Sequence, residues 1–323
     1  MREYIVEADQ AGRRVDRWMA KQVPTLSLSM AQKYVRTKCV RRNGKHPKAE
    51  DILEAGDRIQ LYLPDEILAS RKIDRFLRDF RVHLNILYED SDILIVDKRP
   101  GLAVHADEHE KVDTLLNHVR AYLYQKGEYD SMSEGAFAPA LCNRIDRFTG
   151  GIVIAAKNED ALKAVDNMIR ERRVEKRYLL ICRGRMHPEN GLLRNYLQPT
   201  GKRVKVFNAP VEGAKESLTR YRTLSVRGDL SLVECELLTG RTHQIRAQFA
   251  YAGHPLLGDT QYGASDFNQK YNRQVQALYA YSLSFRPEAG KWEYLASVSA
   301  RVQRVSFADE FFPEFSVPPN LEI

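Results

Sequence analysis

The feature that most restricts the fold is a two-residue period that recurs through the second half of the chain. Leu218, Arg220, Arg222 and Leu224 alternate with Thr219, Tyr221 and Thr223, and another extended run follows at once from Leu230 to Leu238. A period of two suits a pleated strand and not a helix. Val174 to Cys182, Ile86-Leu87-Tyr88 and Ile93 to Val96 also read as strands, and further ones are expected near Val275–Phe285 and Trp292–Val302. Strands outnumber helices and many follow one another directly. The expected class is therefore α+β, with a mixed, largely antiparallel sheet rather than a doubly wound one.

Helices fit between these strands. Asp113 is placed to cap one bearing Leu115, Leu116, Val119 and Leu123, and Asn158 to cap one running through Arg173. Thr239-Gly240 turns into another from Thr242 to Ala252, while residues 126–139, containing Gly and Ser, read as a loop. Lys98-Arg99-Pro100-Gly101 breaks the strand before it.

The front of the chain has a different character. Between Ala11 and Lys48 there are eleven Lys and Arg against a single acid, Asp16, and since the whole chain carries +7 the remainder is slightly acidic. A basic module joined to a near-neutral body is an electrostatic footprint for a polyanion. Val15, Trp18, Met19 and Val23 share one helical face, and Pro24 ends that helix. Ser29 with Gln32 has the form of a capping box for a second helix, with Met30, Tyr34 and Val35 inward. Lys33, Arg36 and Lys38 then face out, with Arg41 and Arg42 just beyond. Asn43-Gly44 signals a two-residue hairpin turn, and Gly56-Asp57 leads into a last strand, Ile59 to Leu63. The expected organisation is a small basic αβ domain over 1–65, a charged linker over 66–84 carrying Ile73, Phe76, Leu77 and Phe80, and a large domain over 85–323.

No apolar run approaches the roughly 18 residues of a membrane helix. The opening residues carry charges where a signal peptide needs an apolar core, so a cytoplasmic protein is expected. Cys39, Cys142, Cys182 and Cys235 lie forty or more residues apart, with no Cys-x-x-Cys pair, and read as free thiols. His105 and His109 have helical spacing but no third ligand nearby, so no metal site is expected. The absence of a heptad stripe makes a monomer the expectation.

Asn143-Arg144-Ile145-Asp146-Arg147-Phe148-Thr149-Gly150-Gly151 concentrates chemistry: one carboxylate between two guanidiniums, then a Gly-Gly pair before the apolar run Ile152 to Ala156. Neighbouring cations favour the ionised carboxylate. By itself the pattern more often describes a surface ion pair than a site. Three further stretches change that balance: Glu175-Lys176-Arg177-Tyr178-Leu179, Thr239-Gly240-Arg241-Thr242-His243-Gln244-Ile245-Arg246, and Gly253-His254-Pro255-Leu256-Leu257-Gly258-Asp259 ending at Tyr262-Gly263.

Together the four stretches resemble the RluA-type pseudouridine synthases, and the front module resembles the small RNA-binding domain of the S-four type. The resemblance spans nearly the whole chain and implies the pseudouridine synthase fold. It implies isomerisation of uridine in RNA by cleaving the glycosidic carbon–nitrogen bond and rejoining the base through carbon 5, with no cofactor or metal. The base must leave its stack to be reached. By resemblance Asp146 is the essential carboxylate, attacking the sugar carbon or the base, or removing a ribose proton. Tyr178 is implied to stack on the flipped uracil and assist proton removal from carbon 5. Arg246 is implied to pair with the carboxylate, Ile245 to line the pocket, and Arg144 to act in flipping and phosphate contact. Arg241 as a phosphate contact and His243 as a structural hydrogen-bonder complete the implied site, with Lys33, Arg36, Lys38, Arg41 and Arg42 binding RNA phosphates.

The chain departs from the family pattern in several places. Asn143 stands where His is usual, Phe148 where an acidic or polar residue is frequent, Gly150 within the usual Thr-Ser-Gly, and Tyr279 where relatives often carry His before Ala. These bear on the substrate more than on the reaction. Large-subunit ribosomal RNA is the expected target by family habit, with transfer RNA as the alternative. Two other functions share some of the signals. A non-catalytic ribosome-assembly factor would need only the basic module. A glycosidic hydrolase would need a second acid; Glu175 is the nearest, and strand alternation puts it opposite Tyr178.

Overall fold

The computed structural model describes residues 1–23, 26, 28–64, 76–130 and 137–317. Two compact units divide the chain, residues 1–82 with 120–138 and residues 83–119 with 139–323. Much of the expected linker, and the expected stop at Pro24, lie outside the described residues; 76–79 form a single helical turn.

The first unit carries a three-stranded sheet, β1 (Arg2–Ile5), β2 (Val40–Arg42) and β3 (Arg58–Leu61), in the order β1-β3-β2. Helices α1 (Val15–Gln22) and α2 (Leu28–Arg36) belong to the same module. Trp18, Met19, Val35, Ile59 and Leu61 are buried in one cluster. Ala31 joins it, whereas Met30, expected inward, is 37% exposed. Helix α2 begins at Leu28, which places Ser29 inside the helix, and Gln32 donates to Asp16 instead of closing a capping box. Asp16, the one acid of the basic segment, is fully buried and also accepts from the Arg14 guanidinium and the Arg17 amide. Burial opposes its charge, but those donors hold its carboxyl below the usual range. Asn43 and Gly44, at φ of 50° and 81°, make the two-residue turn closed by mutual Arg42–Lys45 backbone bonds. Lys33, Arg36, Lys38 and Arg41 are exposed. Arg42 is not among them: it is half-buried, ion-paired to Asp57 at 2.6 Å and donating to the Ile52 carbonyl.

The second unit is built on an eleven-stranded sheet. Its strands are β4 (Asn85–Glu89), β5 (Ile93–Lys98), β6 (Ala140–Leu141), β7 (Gly150–Ala156), β8 (Val174–Arg183), β9 (Asn190–Thr200), β10 (Arg203–Phe207), β11 (Lys215–Arg227), β12 (Leu230–Leu237), β13 (Leu278–Phe285) and β14 (Ser299–Arg301). The order β10-β9-β11-β12-β8-β13-β7-β5-β4 is antiparallel at every step except β13–β7, with β14 on β13 and β6 on β7. The α+β reading therefore stands.

Helix α3 (Leu115–Gln125) starts one residue later than Asp113 would allow as its cap: Thr114 Oγ1 accepts from the Asn117 amide, while Asp113 binds Arg99 and His118. In α4 (Glu159–Arg170), Asn158 caps as expected, accepting from Ala161 N at 2.9 Å. That helix stops before Arg173 because Arg172 takes a left-handed φ of 62°. Helices α5 (Gln244–Tyr251), α6 (Ser265–Lys270) and α7 (Ser306–Phe311) complete the described elements of this class. The strand expected over Trp292–Val302 is a 3-10 turn, Glu293–Ser297, followed by only three strand residues. The β9–β10 hairpin escapes a periodicity reading because Pro199, Gly191 and several amides dilute its alternation. Among the described residues no helix is long and apolar enough to cross a membrane.

Among the named strands of the described residues, the one parallel pairing sets Tyr279 opposite Gly150 and Ala280 opposite Gly151. A Cβ at Gly150 would lie 2.4 Å from Tyr279 Cε2, and one at Gly151, whose φ is +114°, would lie 2.1 Å from the Ala280 carbonyl oxygen. Two departures from the family pattern are thus neighbours: the Tyr279 ring fills the space a serine side chain at position 150 would need. The ring is held there by its hydroxyl, which donates to Asp97 at 2.6 Å. Gly150→Ser should destabilise the protein by about 1–3 kcal/mol through overpacking. The Gly150→Ser/Tyr279→His double variant should lose less than the sum of the single changes, as read by urea unfolding.

Candidate active site

A cleft of about 1010 Å³ in the second unit is lined by Asp146, Tyr178, Ile245, Arg246, Arg144, Arg241 and His243, so every residue singled out there in sequence reaches one hollow. Asp146 lies on the short segment between β6 and β7 that the Gly150–Gly151 approach to β13 draws in. The expected flanking guanidiniums do not hold it. Arg147 turns away and donates to the Gly101 carbonyl, and Arg144 is exposed. The guanidinium that meets Asp146 comes from α5: Arg246 Nη1 donates to its Oδ2 at 2.8 Å.

Arg246 is buried and fully engaged. Its Nε and Nη2 make a two-pronged contact with Asp259 at 2.7 and 3.1 Å, Nη2 also donates to Gln261 Oε1 at 3.0 Å, and the Tyr262 ring centroid lies 5.2 Å away. Burial opposes a charge on Asp259, but Arg246 and the Gln261 and Tyr262 amides hold its carboxyl below the usual range. His243, in the left-handed region at φ 51°, starts α5 and shares a 2.9 Å hydrogen bond with the Tyr262 hydroxyl; its Nε2 is 3.9 Å from Asp146. Burial lowers its pKa below 6.5, which favours the neutral ring. Arg241 stays exposed and its Nε donates to the Glu216 carbonyl.

Tyr178 comes up from β8 and is 6% exposed. Its hydroxyl makes no hydrogen bond among the described residues, and burial, reinforced by Asp146, pushes its pKa up. Lys176, two residues earlier on the same strand face, also lines the cleft, and burial pulls its pKa down. Glu175 faces the other way, into Arg177 and Arg286, so no second acid joins Asp146 from this strand. Among the described residues no three His, Cys, Asp or Glu side chains gather as a metal site. All four cysteines are free.

Sequence reading assigned no role to Lys98, at the end of β5. Only 1% exposed, it donates to the carbonyls of Arg99, Leu102 and Arg147 at 3.1, 2.9 and 2.9 Å. It staples residues 99–102 to the Asp146 segment. Thr149 completes the fastening: its amide donates to Asp146 O at 3.0 Å, and its hydroxyl accepts from buried Gln276 at 2.7 Å. Asp259 and Lys98 carried a signal, since each lies in a motif stretch or at a strand break, but a buried role leaves no periodic trace.

The second unit thus sets a carboxylate–guanidinium pair and a buried tyrosine in one cleft of an α+β fold on a mixed sheet. Comparisons with known proteins identify the family. Residues 92–251 match the RNA pseudouridylate synthase family. An RNA pseudouridine synthase of Aquifex aeolicus is 32% identical over 299 residues, covering 90% of each chain. Ribosomal large subunit pseudouridine synthase C of Escherichia coli is 33% identical over 274 residues, covering 82% of this chain and 81% of its own. The solved structure of human RNA pseudouridylate synthase domain containing 1 superposes with a TM-score of 0.51 at 22% identity, over 73% of this chain and 97% of that one, a likeness of fold. The chain belongs to the RNA pseudouridine synthase family, enzymes of the isomerase class.

Two outcomes follow from the buried charges. Asp259→Ala leaves Arg246 an under-paired buried cation and should destabilise the protein by about 3–5 kcal/mol in chemical denaturation. Burial lowers the Lys98 pKa from 10.5 to about 7. The unfolded chain therefore binds the extra proton above that pH, and the Lys98 contribution to stability should grow as pH rises from about 7 toward 10.5. The stability difference between wild type and Lys98→Met should climb over that window when unfolding is measured at successive pH values; a flat difference would contradict the assignment.

Proposed function

We propose that this enzyme converts specific uridines in structured RNA to pseudouridine by flipping the target base into the cleft, with Asp146 as its essential carboxylate. The observation that carries the reading is that Asp146 is held by Arg246 in the hollow that Tyr178 also lines. In the reaction the bond from ribose carbon 1′ to N1 breaks, the bond to C5 forms, C5 gives up its proton and N1 gains one. An anchored carboxylate suits either nucleophilic or basic work at the sugar or base. Tyr178 supplies a buried ring against which uracil stacks, with a hydroxyl near the carbon-5 proton. Ile245 closes the pocket, Arg144 and Arg241 meet phosphates at its mouth, and neutral His243 orders the start of α5.

Large-subunit ribosomal RNA is the favoured substrate. What supports this is likeness over most of the chain to enzymes named for that RNA. The front module, with Lys33, Arg36, Lys38 and Arg41 exposed, adds phosphate affinity to the enzyme, which acts as a cytoplasmic monomer.

The test is tritium release from a large-subunit ribosomal RNA transcript labelled at uracil carbon 5. Wild type should release tritium to water. Asp146→Ala should release none detectable while binding the transcript within about threefold of wild type. Binding without release by the wild type would leave a non-catalytic RNA-binding factor, and equal release by both proteins would remove Asp146 from the mechanism.

A further inference from the structure

The cleft contains an aromatic side chain that neither the carboxylate chemistry nor the fold uses. Phe148 lines it two residues beyond Asp146 and is 49% exposed. It belongs to none of the buried apolar clusters formed among the described residues. A single exposed apolar residue on a surface needs no explanation. Phe148 differs because its loop is fastened on both sides. Arg147 is fixed through its carbonyl, which accepts from Lys98 and from the Gly101 amide, and through its Nε, which donates to Gly101 O. Thr149 is buried and fixed by Gln276. The backbone on either side is tied down, so the ring is presented by a braced segment. The Arg147 guanidinium lies 5.9 Å from the ring centroid, which places a cation beside the aromatic surface.

The surroundings identify what such a ring would meet. Arg144, Arg241, Lys202 and Arg203 line the same cleft and are exposed, so a strand of phosphates is the complementary ligand. A chain led through those cations with one base turned in toward Asp146 must leave the adjoining base near the mouth, unstacked from its former neighbour. An unstacked base exposes an apolar π-face, and aromatic side chains are the usual replacement partner.

We propose that Phe148 is a stacking platform for the nucleobase adjacent to the flipped uridine, and that it contributes to choice of site through that neighbour. The inference rests on the reading that the cleft takes a flipped uridine. Stacking tolerates every base but holds a purine, with its larger face, better than a pyrimidine, so the platform biases the enzyme toward uridines flanked by a purine.

The experiment uses the full-length enzyme and the tritiated large-subunit transcript, with kcat and KM measured for wild type, Phe148→Ala, Phe148→Leu and Phe148→Trp. Phe148→Ala should raise KM about 10- to 100-fold, with the smaller effect in kcat. Phe148→Trp should restore KM, and Phe148→Leu, similar in bulk but without a π-face, should not. In transcripts where the nucleotides on either side of each reactive uridine are changed from purine to pyrimidine, wild type should lose efficiency on one side and Phe148→Ala should be indifferent. An unchanged KM in Phe148→Ala, or Leu restoring as well as Trp, would overturn the stacking role while leaving the isomerase intact. No release by wild type would instead remove the reading on which both depend.

Discussion

Arg246 is the point on which the site turns. A buried guanidinium must satisfy a planar fork of donors, and here every edge is used. Asp259 and Gln261 take the side formed by Nε and Nη2, which leaves Nη1 aimed at Asp146. Because the fork is rigid, fixing one edge fixes the other, and the Asp146 carboxylate is positioned by residues that never touch it. Helix α5 is itself pinned by side-chain amides: Gln244 donates to Leu218 O and Thr219 Oγ1, and Gln248 to Leu193 O and Asn195 Oδ1. These bonds register the helix on β9 and β11, so Arg246 arrives at a set height above the sheet.

The segment bearing Asp146 is fastened from the opposite side by a different chemistry. Lys98 gathers three carbonyls, and Gly150 and Gly151 let β7 approach β13 more closely than any side chain would permit. Neither device favours stability. Burying an ammonium and a guanidinium is costly, and apolar replacements are often as stable. What they provide is position: Lys98 ties down the backbone that carries Asp146, and Arg246 holds its carboxylate.

The basic module handles charge in the reverse sense. Its one acid within the cationic segment is spent inside, on Arg14, Gln32 and the Arg17 amide, and Arg42 is spent on Asp57. Among the described residues the remaining cations of α2 and β2 have no ion-pair partner and are left to solvent.

Much of the architecture was legible because strands and capped helices write their period or their cap locally. The runs at Val174, Leu218 and Leu230, the Asn43-Gly44 turn and the Asn158 cap each depend on neighbours in sequence. Met30, Asp113 and the Trp292 segment went astray where packing overrode a local signal: Ala31 fitted the core better, Thr114 stood nearer the first turn, and Leu295 was buried from a 3-10 turn. The site residues were legible through motif resemblance, not through geometry, and Phe148 was visible only as a departure. Sequence by itself determined the kinds of element, the separation of charge and the residues able to do chemistry. The resemblance already implied Arg246 as the partner of Asp146, but its local sequence offers Arg144 and Arg147, and only the tertiary structure shows why the guanidinium a hundred residues away meets it instead. The reason is that a short polar segment has no orientation of its own; its side chains point where buried partners on β5, on α5 and just before β13 have already been placed.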